Sequence, residues 1–416
     1  VPYLLPSGLL GEPGKPGPNE QIGIGFIGVG RQGGFLAGAI KQSPLARIVA
    51  VCDVYRPRAE QSAKSLGAVP FTDYRRLLER KDVSAIVTAT PEQWRGILCV
   101  LACQAEKDLY VEKPMSLTIY EGRLIVEAVR KYKRVFQTGS HQRSMAANRL
   151  GCELVRNGRL GKLERVIAHN YPSPWEAAFP AQPVPEGLDW DMWCGPAEVV
   201  PFHEDIFKSR ANPGWLSLRP FSGGEMTGWG SHGFDQVQWA LGMDHTGPVE
   251  WWTEGPPFKP PTYTQPESRQ RGDALCSQPK VFCRYPNGVV MELGNGPAGG
   301  AIFIGANGRI TIDRGKVVSD PPELAKEPLT DKDIRLYVSN DHIQNWLECI
   351  KTRAKCVCDE EVGHRSASVC HLANITRRLG RRLQWDPVKE QFIGDEEANQ
   401  LLRRPQREKY KTPDPV

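Results

Sequence analysis

A chain of 416 residues with 53 basic and 48 acidic side chains, formal net charge +5, is long enough for two or three domains and lacks the basic excess that nucleic acid demands. The charges are interleaved, so no nucleic-acid partner is expected, and no apolar run approaches the roughly 18 residues of a membrane span, so no membrane partner is expected either. Eleven cysteines, an odd number without framework spacing, read as buried thiols and not as a disulfide scaffold.

Residues 1–20 are Pro/Gly-rich and read as a linker or the remnant of a processed precursor, which leaves export and a cytoplasmic location both open. From Ile22 the pattern becomes regular. A short apolar run enters Gly28-x-Gly30-x-x-Gly33, a helical stretch follows, and a second apolar run, 48–52, ends in Asp53. Gly28 permits a sharp turn, Gly30 lets a pyrophosphate approach bare backbone, and Gly33 lets helix and strand pack closely. Asp53 is placed to accept ribose hydroxyls. Strand, turn, helix, strand and acid in register predict a dinucleotide site, which also takes in Arg31 and Gln32 of the turn.

The alternation continues through a helix at 57–66, a strand at 69–71, a helix capped by Asp73 and a strand at 84–90. A helix at 92–105, a strand at 109–111, a helix at 119–132 and a strand at 135–138 follow. Strands alternating with helices predict a doubly wound parallel Rossmann sheet over 21–139. Beyond it lie a helix at 148–157, a strand from 163, a Trp/Pro/Gly-rich stretch over 171–224 and a helix at 234–241. The 171–224 stretch is too long for an inert connection and is read as functional. Strands at 249–253, 280–285, 289–293, 301–304 and 309–312 include two hairpins with Asn-Gly turns. Helices at 341–352 and 363–382 close the second unit. The fold class is therefore α/β: the Rossmann sheet plus an α+β domain, 140–394, with a large open, mostly antiparallel sheet for substrate binding and oligomerisation. A polar tail, 395–416, ends the chain.

Thr90-Pro91 and Glu112-Lys113-Pro114 end two buried strands, where ligands lie in open parallel sheets. Lys113 is there either a proton donor and charge holder or a plain turn lysine. Gly230-Ser231-His232-Gly233-Phe234-Asp235 opens a helix, and His232 is either a base for an alcohol proton or structural. Cys356, Cys358, His364, Cys370 and His371 have spacing that suits an extended strand more than a zinc knuckle, so no metal is assigned. Asp53 should favour NAD over NADP, although Tyr55, Arg56 and Arg58 stand at the same corner, where an arginine can accept a 2′-phosphate.

These motifs together (GFIGVGRQG, ATP at 89–91, VEKP at 111–114 and GGEMTGWGSHGFDQVQWALG at 223–242) resemble the glucose–fructose oxidoreductase / inositol dehydrogenase (Gfo/Idh/MocA) family. The C-terminal GHRSASVCHLANITRRLGRRLQWDP resembles a bacterial subgroup whose precursors often carry export signals. The resemblance implies an NAD(P)-dependent oxidoreductase acting on a hydroxyl-bearing carbon of a sugar, polyol or glycoside, assembled as a homodimer or homotetramer. It places the family's lysine on Lys113 and its histidine on His232. The acid four residues before that histidine is Gly228 here, which leaves Asp235, Glu225 or another acid to orient His232, or Lys113 to act alone. Trp94 is retained after Thr90-Pro91, but Arg95 stands where the subgroup has histidine. Glu112, Trp94 and Arg58 join the implied cofactor set. His141, Arg143, Tyr171, Trp190 and Asp235 join the implied substrate set. Among relatives some enzymes cleave glycosides with tightly held NAD, by transient oxidation and elimination, and this is the alternative activity. A non-catalytic sugar- or nucleotide-binding protein is a third reading.

Overall fold

The computed structural model describes residues 20–208, 214–260, 262–265 and 267–416, so the linker expected over 1–20 lies, apart from Glu20, outside the described residues. The first unit runs β1 (Ile22–Ile27), α1 (Arg31–Ile40), β2 (Ala46–Cys52), α2 (Arg56–Leu66), β3 (Val69–Phe71) and α3 (Tyr74–Leu78). It continues with β4 (Ala85–Thr88), α4 (Arg95–Gln104), β5 (Asp108–Val111), α5 (Ile119–Lys131) and β6 (Phe136–Thr138). All six strands are parallel, in the order β3-β2-β1-β4-β5-β6. The order reverses between β1 and β4, and such a switch point opens a crevice at the carboxyl ends of the strands.

The central strands β1 and β4 are buried along their whole length because both faces are covered, and only the edge strand β3 is largely exposed. One face packs Ile86, Leu109 and Val111 on Leu98, Val100, Leu124 and Ile125 of α4 and α5. The other packs Ile24, Phe26, Val87 and Tyr110 on Leu36 and Ile40 of α1 and on Ile343, Trp346 and Leu347 from near the C-terminus.

The second unit opens with α6 (Ala146–Arg156) and β7 (Leu163–His169). Then come the two-residue β8 (Glu176–Ala177), α7 (Trp190–Cys194), α8 (Glu204–Phe207), α9 (Glu225–Gly228) and α10 (Gly230–Leu241). Strands β9 (Glu250–Glu254) and β10 (Thr262–Tyr263), helix α11 (Arg269–Cys276) and strands β11 (Lys280–Arg284) and β12 (Val290–Gly294) follow. Next are β13 (Ala301–Gly305), β14 (Gly308–Asp313), β15 (Lys316–Asp320), α12 (Glu323–Lys326), α13 (His342–Thr352), α14 (Glu360–Leu379), β16 (Leu383–Asp386), β17 (Gln391–Phe392) and α15 (Glu396–Gln400). Nine strands form one mixed sheet, β15-β14-β13-β7-β12-β11-β9-β16-β17, in which only β7 and β12 run parallel. The two expected hairpins join β11 to β12 and β13 to β14. Strands β15, β16 and β17 were not foreseen. They are pieces of two to five residues at the two ends of the sheet, too short to show a pattern along the chain, although Leu383, Trp385 and Phe392 reach the core.

Period-two alternation gives this sheet two different faces. Val166, Ala168, Val281, Cys283, Met291, Leu293, Phe303 and Ile310 point into a core shared with α10 and α14. Ile167, Trp252, Phe282, Ile302 and Ile304 lie half-buried on the opposite face, where Trp252 and Phe282 stack at 5.5 Å.

Helix α14 is the spine between the units. Asp359 caps it, accepting from Val362 N, and Gly380 ends it at φ +64. It packs on α5 and on α10. Arg123 of α5 bonds Glu361 at 3.0 Å and Glu390 at 2.8 Å, and Arg130 reaches Glu361 at 2.7 Å. The polar tail also returns to the first unit, where buried Tyr410 packs edge-on against Trp94 at 5.2 Å. All eleven cysteines are free and buried. Among the described residues no group of three or more His, Cys, Asp and Glu side chains stands ready to hold a metal, and no helix is long and apolar enough to cross a membrane.

Candidate functional site

The glycine turn is shaped by close contacts. Gly28 takes φ +85 and donates its N–H to Cys52 O at 2.8 Å, locking β1 to β2. A Cβ on Gly33 would lie 2.1 Å from Gly28 O, so only glycine lets α1 start there. A Cβ on Gly30 would meet only the Arg58 guanidinium, at 3.8 Å, so the backbone at the N-terminus of the ten-residue α1 stays open. At the end of β2 the Asp53 carboxylate accepts Val29 N–H at 3.1 Å and Tyr55 N–H at 3.0 Å, with Arg58 at 3.4 Å. Arg58 lies over the rings of Tyr55 and Phe207, at 5.5 and 5.0 Å.

A cavity of about 470 Å³ follows this crevice. The expected residues Gly28, Gly30, Arg31, Gln32, Asp53, Arg58, Thr90, Pro91 and Trp94 all line it, and Gly33 lies beneath them. Met192, Trp193, Phe207 and Trp215, from the long 171–224 region, form its outer wall. Open helix N-terminus, acid at the second strand and cavity size fit a dinucleotide: phosphates at α1, ribose at Asp53.

A second cavity, about 200 Å³, adjoins the first, with Arg31, Gln32, Ala89 and Trp215 lining both. Its floor is the end of β5. The Glu112 carboxylate accepts Gln32 Nε2 at 2.8 Å and Lys113 N–H at 3.1 Å. Lys113 Nζ donates to Gly228 O at 3.1 Å, a bond that crosses between the two units. His232 enters from the first turn of α10, its ring 5.5 Å from that of Trp229. His141 completes the wall. Its Nε2 bonds the Tyr110 hydroxyl at 2.8 Å and lies 3.9 Å from Glu112. Burial pushes the His141 pKa down; Glu112 opposes this, while Arg314 and Lys113 lower it further. Lys113, His141 and His232, distant in sequence, thus face one space beside the cofactor crevice.

Four expected substrate contacts are elsewhere. Arg143 and Asp235 are 1% exposed and pair with each other: Nε to the carboxylate at 2.9 Å, with Ser366 adding a hydroxyl at 2.7 Å and Asp244 taking the other side of Arg143 at 2.7 Å. Asp235 therefore does not orient His232. One helix carries both, but Asp235 turns to a buried guanidinium and His232 to the cavity. Tyr171 is buried, with its hydroxyl on Ala298 O at 2.8 Å. Trp190 stacks on Trp193 at 4.5 Å and bonds Val200 O at 2.8 Å. Tyr171 packs in the core of the second unit and Trp190 behind the cavity wall, and neither lines a cavity.

Three residues that line or brace the site were not singled out as site residues from sequence. Buried Glu92 accepts Ser222 Oγ at 2.7 Å, Gly223 N–H at 2.9 Å and Thr227 Oγ1 at 3.1 Å, which fixes the 223–228 segment over the crevice. Burial raises its pKa against the pull of Arg95. Trp215 and Arg314 line the second cavity from a loop and a hairpin tip. A carboxylate oxygen of Glu225, which also pairs with Arg269, lies 2.7 Å from where a Cβ on Gly228 would stand. An acid one turn earlier thus fills the space beside the position that lacks one.

Comparison with known proteins agrees with this architecture. A family model described as "Oxidoreductase family, NAD-binding Rossmann fold" matches residues 22–140, and its companion, "Oxidoreductase family, C-terminal alpha/beta domain", matches residues 162–412; both are Gfo/Idh/MocA models. The chain is 30% identical over 145 residues to a scyllo-inositol 2-dehydrogenase (NAD(+)) of Bacillus subtilis, covering 34% of this chain and 42% of that protein. It is 28% identical over 162 residues to a 2,7-anhydro-N-acetylneuraminate hydratase of Mediterraneibacter gnavus, covering 39% and 42%. The match therefore spans less than half the length of these curated relatives. In fold it is similar to the WlbA dehydrogenase from Bordetella pertussis, solved with NADH and UDP-GlcNAcA, at a TM-score of 0.62 and 17% identity over 88% of this chain and 99% of that one.

Proposed function

The chain belongs to the Gfo/Idh/MocA oxidoreductase family, with an NAD-binding Rossmann domain, and from that premise we propose that it transfers hydride between nicotinamide and a hydroxyl-bearing carbon of a sugar-type substrate. The observation that carries this reading is the convergence of Lys113 and His232 on a cavity that opens into the dinucleotide crevice at the strand ends. NAD, when bound, supplies the hydride acceptor. His232 takes the hydroxyl proton. Lys113, aimed by its bond to Gly228 O, holds the charge that develops on the substrate oxygen. Glu112 acts as a positioning residue: it anchors the Lys113 backbone and, through Gln32, ties that strand end to the glycine turn. Glu225 is the carboxylate best placed to do what an acid at 228 would do. The test is a panel of sugars and polyols with NAD, following appearance of reduced nicotinamide. If no member of the panel reduces it, the reading fails.

Asp53 carries the preference for NAD. Its carboxylate occupies the ribose corner, where a 2′-phosphate would be repelled, and Arg58 is already paired to it. Tighter binding of NADPH than NADH in a fluorescence titration would reverse this.

A second reading keeps the hydride within the enzyme: oxidation of a carbinol to a carbonyl, loss of the acidified neighbouring proton with elimination of an aglycone, addition of water to the resulting enone, then return of the hydride to the carbonyl. Gly228 in place of an acid and a similar protein named as a hydratase both favour keeping it. Release of aglycone over many turnovers without added NAD or net NADH would establish it in place of net oxidation. The half-buried apolar face of the nine-stranded sheet, with Ile167, Trp252, Phe282 and Ile302, supports assembly into a homodimer or homotetramer. A monomer by light scattering at micromolar concentration would remove that proposal.

A further inference from the structure

The second cavity has an unbalanced charge. Arg31, Arg95, Lys113 and Arg314 line it, against the single carboxylate of Glu112. That carboxylate is already engaged by Gln32 and by the Lys113 N–H. The four cations do not have the same work. Arg95 is 4% exposed and tied to Thr90 O at 3.0 Å and to Pro114 O, so it braces the loop and contributes only its field. Arg31 stands at the seam with the dinucleotide crevice, where a cofactor phosphate claims it.

Arg314 is different. It sits at the tip of the β14–β15 hairpin and reaches back over the Trp229 ring, 5.7 Å from its centroid, beside His232. No ion pair joins it to its neighbour Asp313, whose Oδ1 instead accepts Gly299 N–H at 3.0 Å and the Arg314 backbone N–H at 2.7 Å. Other arginines of the same sheet are matched: Arg284 to Glu250 at 3.0 Å, Arg309 to Asp320 at 3.1 Å and Arg382 to Glu250 at 2.7 Å. Among the described residues, Arg314 faces the cavity with no carboxylate in ion-pair reach.

A concave site lined mostly by one sign of charge focuses such a field, and a neutral polyol would leave it unanswered. We propose that the substrate carries an anionic group, a carboxylate or a phosphate, held by Arg314 against Trp229, so that the site takes sugar acids or sugar phosphates in preference to neutral sugars. A planar guanidinium suits either group, because it presents paired donors to two oxygens. The inference deepens the oxidoreductase reading and rests on it for its turnover arm.

The test pairs glucuronate, galacturonate, gluconate and glucose 6-phosphate with glucose, galactose and myo-inositol. Each is assayed with saturating NAD on the full chain, and each is also scored for binding by thermal shift of the NADH-loaded protein. The expected result is a higher kcat/KM for one anionic class, lowered by added salt. The acid arm and the phosphate arm separate the two sources of charge. Arg314→Gln should reduce the anionic-to-neutral ratio by between about tenfold and a hundredfold, chiefly through KM, and Arg314→Lys should restore part of it. Neutral sugars turned over as well as their acids, or an unchanged ratio in Arg314→Gln, overturns the inference. If nothing is oxidised, the dehydrogenase reading fails and the binding arm still decides: stabilisation by the anionic probes alone supports an anionic ligand, and equal or greater stabilisation by the neutral ones overturns it.

Discussion

The dinucleotide crevice and the cavity beside it are built in opposite ways. The crevice is centred on one continuous stretch, Gly28 to Arg58, whose turn, helix and acid fold back on one another at the start of the first sheet, with later segments only walling it. The cavity gathers Gln32, Lys113, His141, Trp215, His232 and Arg314 from six separate places on the chain. A local site depends on backbone shape, and substitution there disturbs folding and cofactor affinity. A site assembled from afar depends on each side chain's chemistry, and substitution there should disturb turnover with little loss of cofactor.

The largest effect expected on that basis is in the assembled cavity. Lys113→Ala and His232→Ala should each lower turnover by about 10²–10⁴-fold while NADH binding stays near wild type, and the double variant should lose less than the product because both act on one proton. Wild-type kcat in His232→Ala with a verified substrate would remove the base assignment. Next comes Asp235→Ala, which leaves Arg143 buried with half its partners. Breaking a buried pair costs about 3–5 kcal/mol, so denaturant melts should show that loss with kcat of the folded fraction retained. A large kcat loss at unchanged stability would instead return Asp235 to the chemistry.

In the crevice, Asp53→Ala removes a charged acceptor from the ribose corner and two backbone N–H partners. NAD affinity should fall by tenfold or more and the NADP-to-NAD ratio should rise, as read by titration with both cofactors. An unchanged ratio would mean that Arg58 sets the preference.

The smallest effect lies outside both regions, at the junction of the two units of the fold, where α14 meets α5. Burial raises the Glu361 pKa, but Arg123 and Arg365 win and hold it down at about 2, below its ordinary 4.5. A carboxyl depressed in the folded state contributes stability that is full above about pH 4.5 and lost as pH falls toward 2. Melting temperature should therefore decline across that window, and Glu361→Gln should flatten the decline. A variant with the wild-type acid profile would place the acid sensitivity elsewhere.

This contrast also explains what was legible in the sequence. The six-stranded sheet and its turn could be read because each residue's demand is local: a positive φ at Gly28, a close approach at Gly33, unbroken apolar strands. The two hairpins announced themselves through Asn-Gly turns. Lys113 stood out by its place at a strand end and His232 by its place at a helix start, but only motif resemblance brought the two together, since nothing along the chain says that β5 and α10 meet. Arg143, singled out through the resemblance, and Asp235, singled out through its helix spacing, pair with each other and line neither cavity, because motif and spacing give a residue's position and not its partner across the core. An aspartate inside the run Phe234-Asp235-Gln236-Val237 was itself a signal of a buried cation nearby. Arg314 carried no signal at all, since a hairpin tip of Asp-Arg-Gly reads as a solvated turn.

The eleven buried, unpaired thiols have a practical meaning of their own. Burial pushes Cys103, Cys194 and Cys276 up to about 12, so at neutral pH they are protonated as well as shielded. Cys349 is the exception, drawn down to about 7 by its bond with Cys356 against the effect of burial, but it too is shielded. The eleven are distributed through both sheets, the spine helix and the aromatic wall, so the folded chain should be nearly silent to a thiol reagent. Every label it acquires then records an opening, and the order in which cysteines react becomes a map of which parts of the molecule open first.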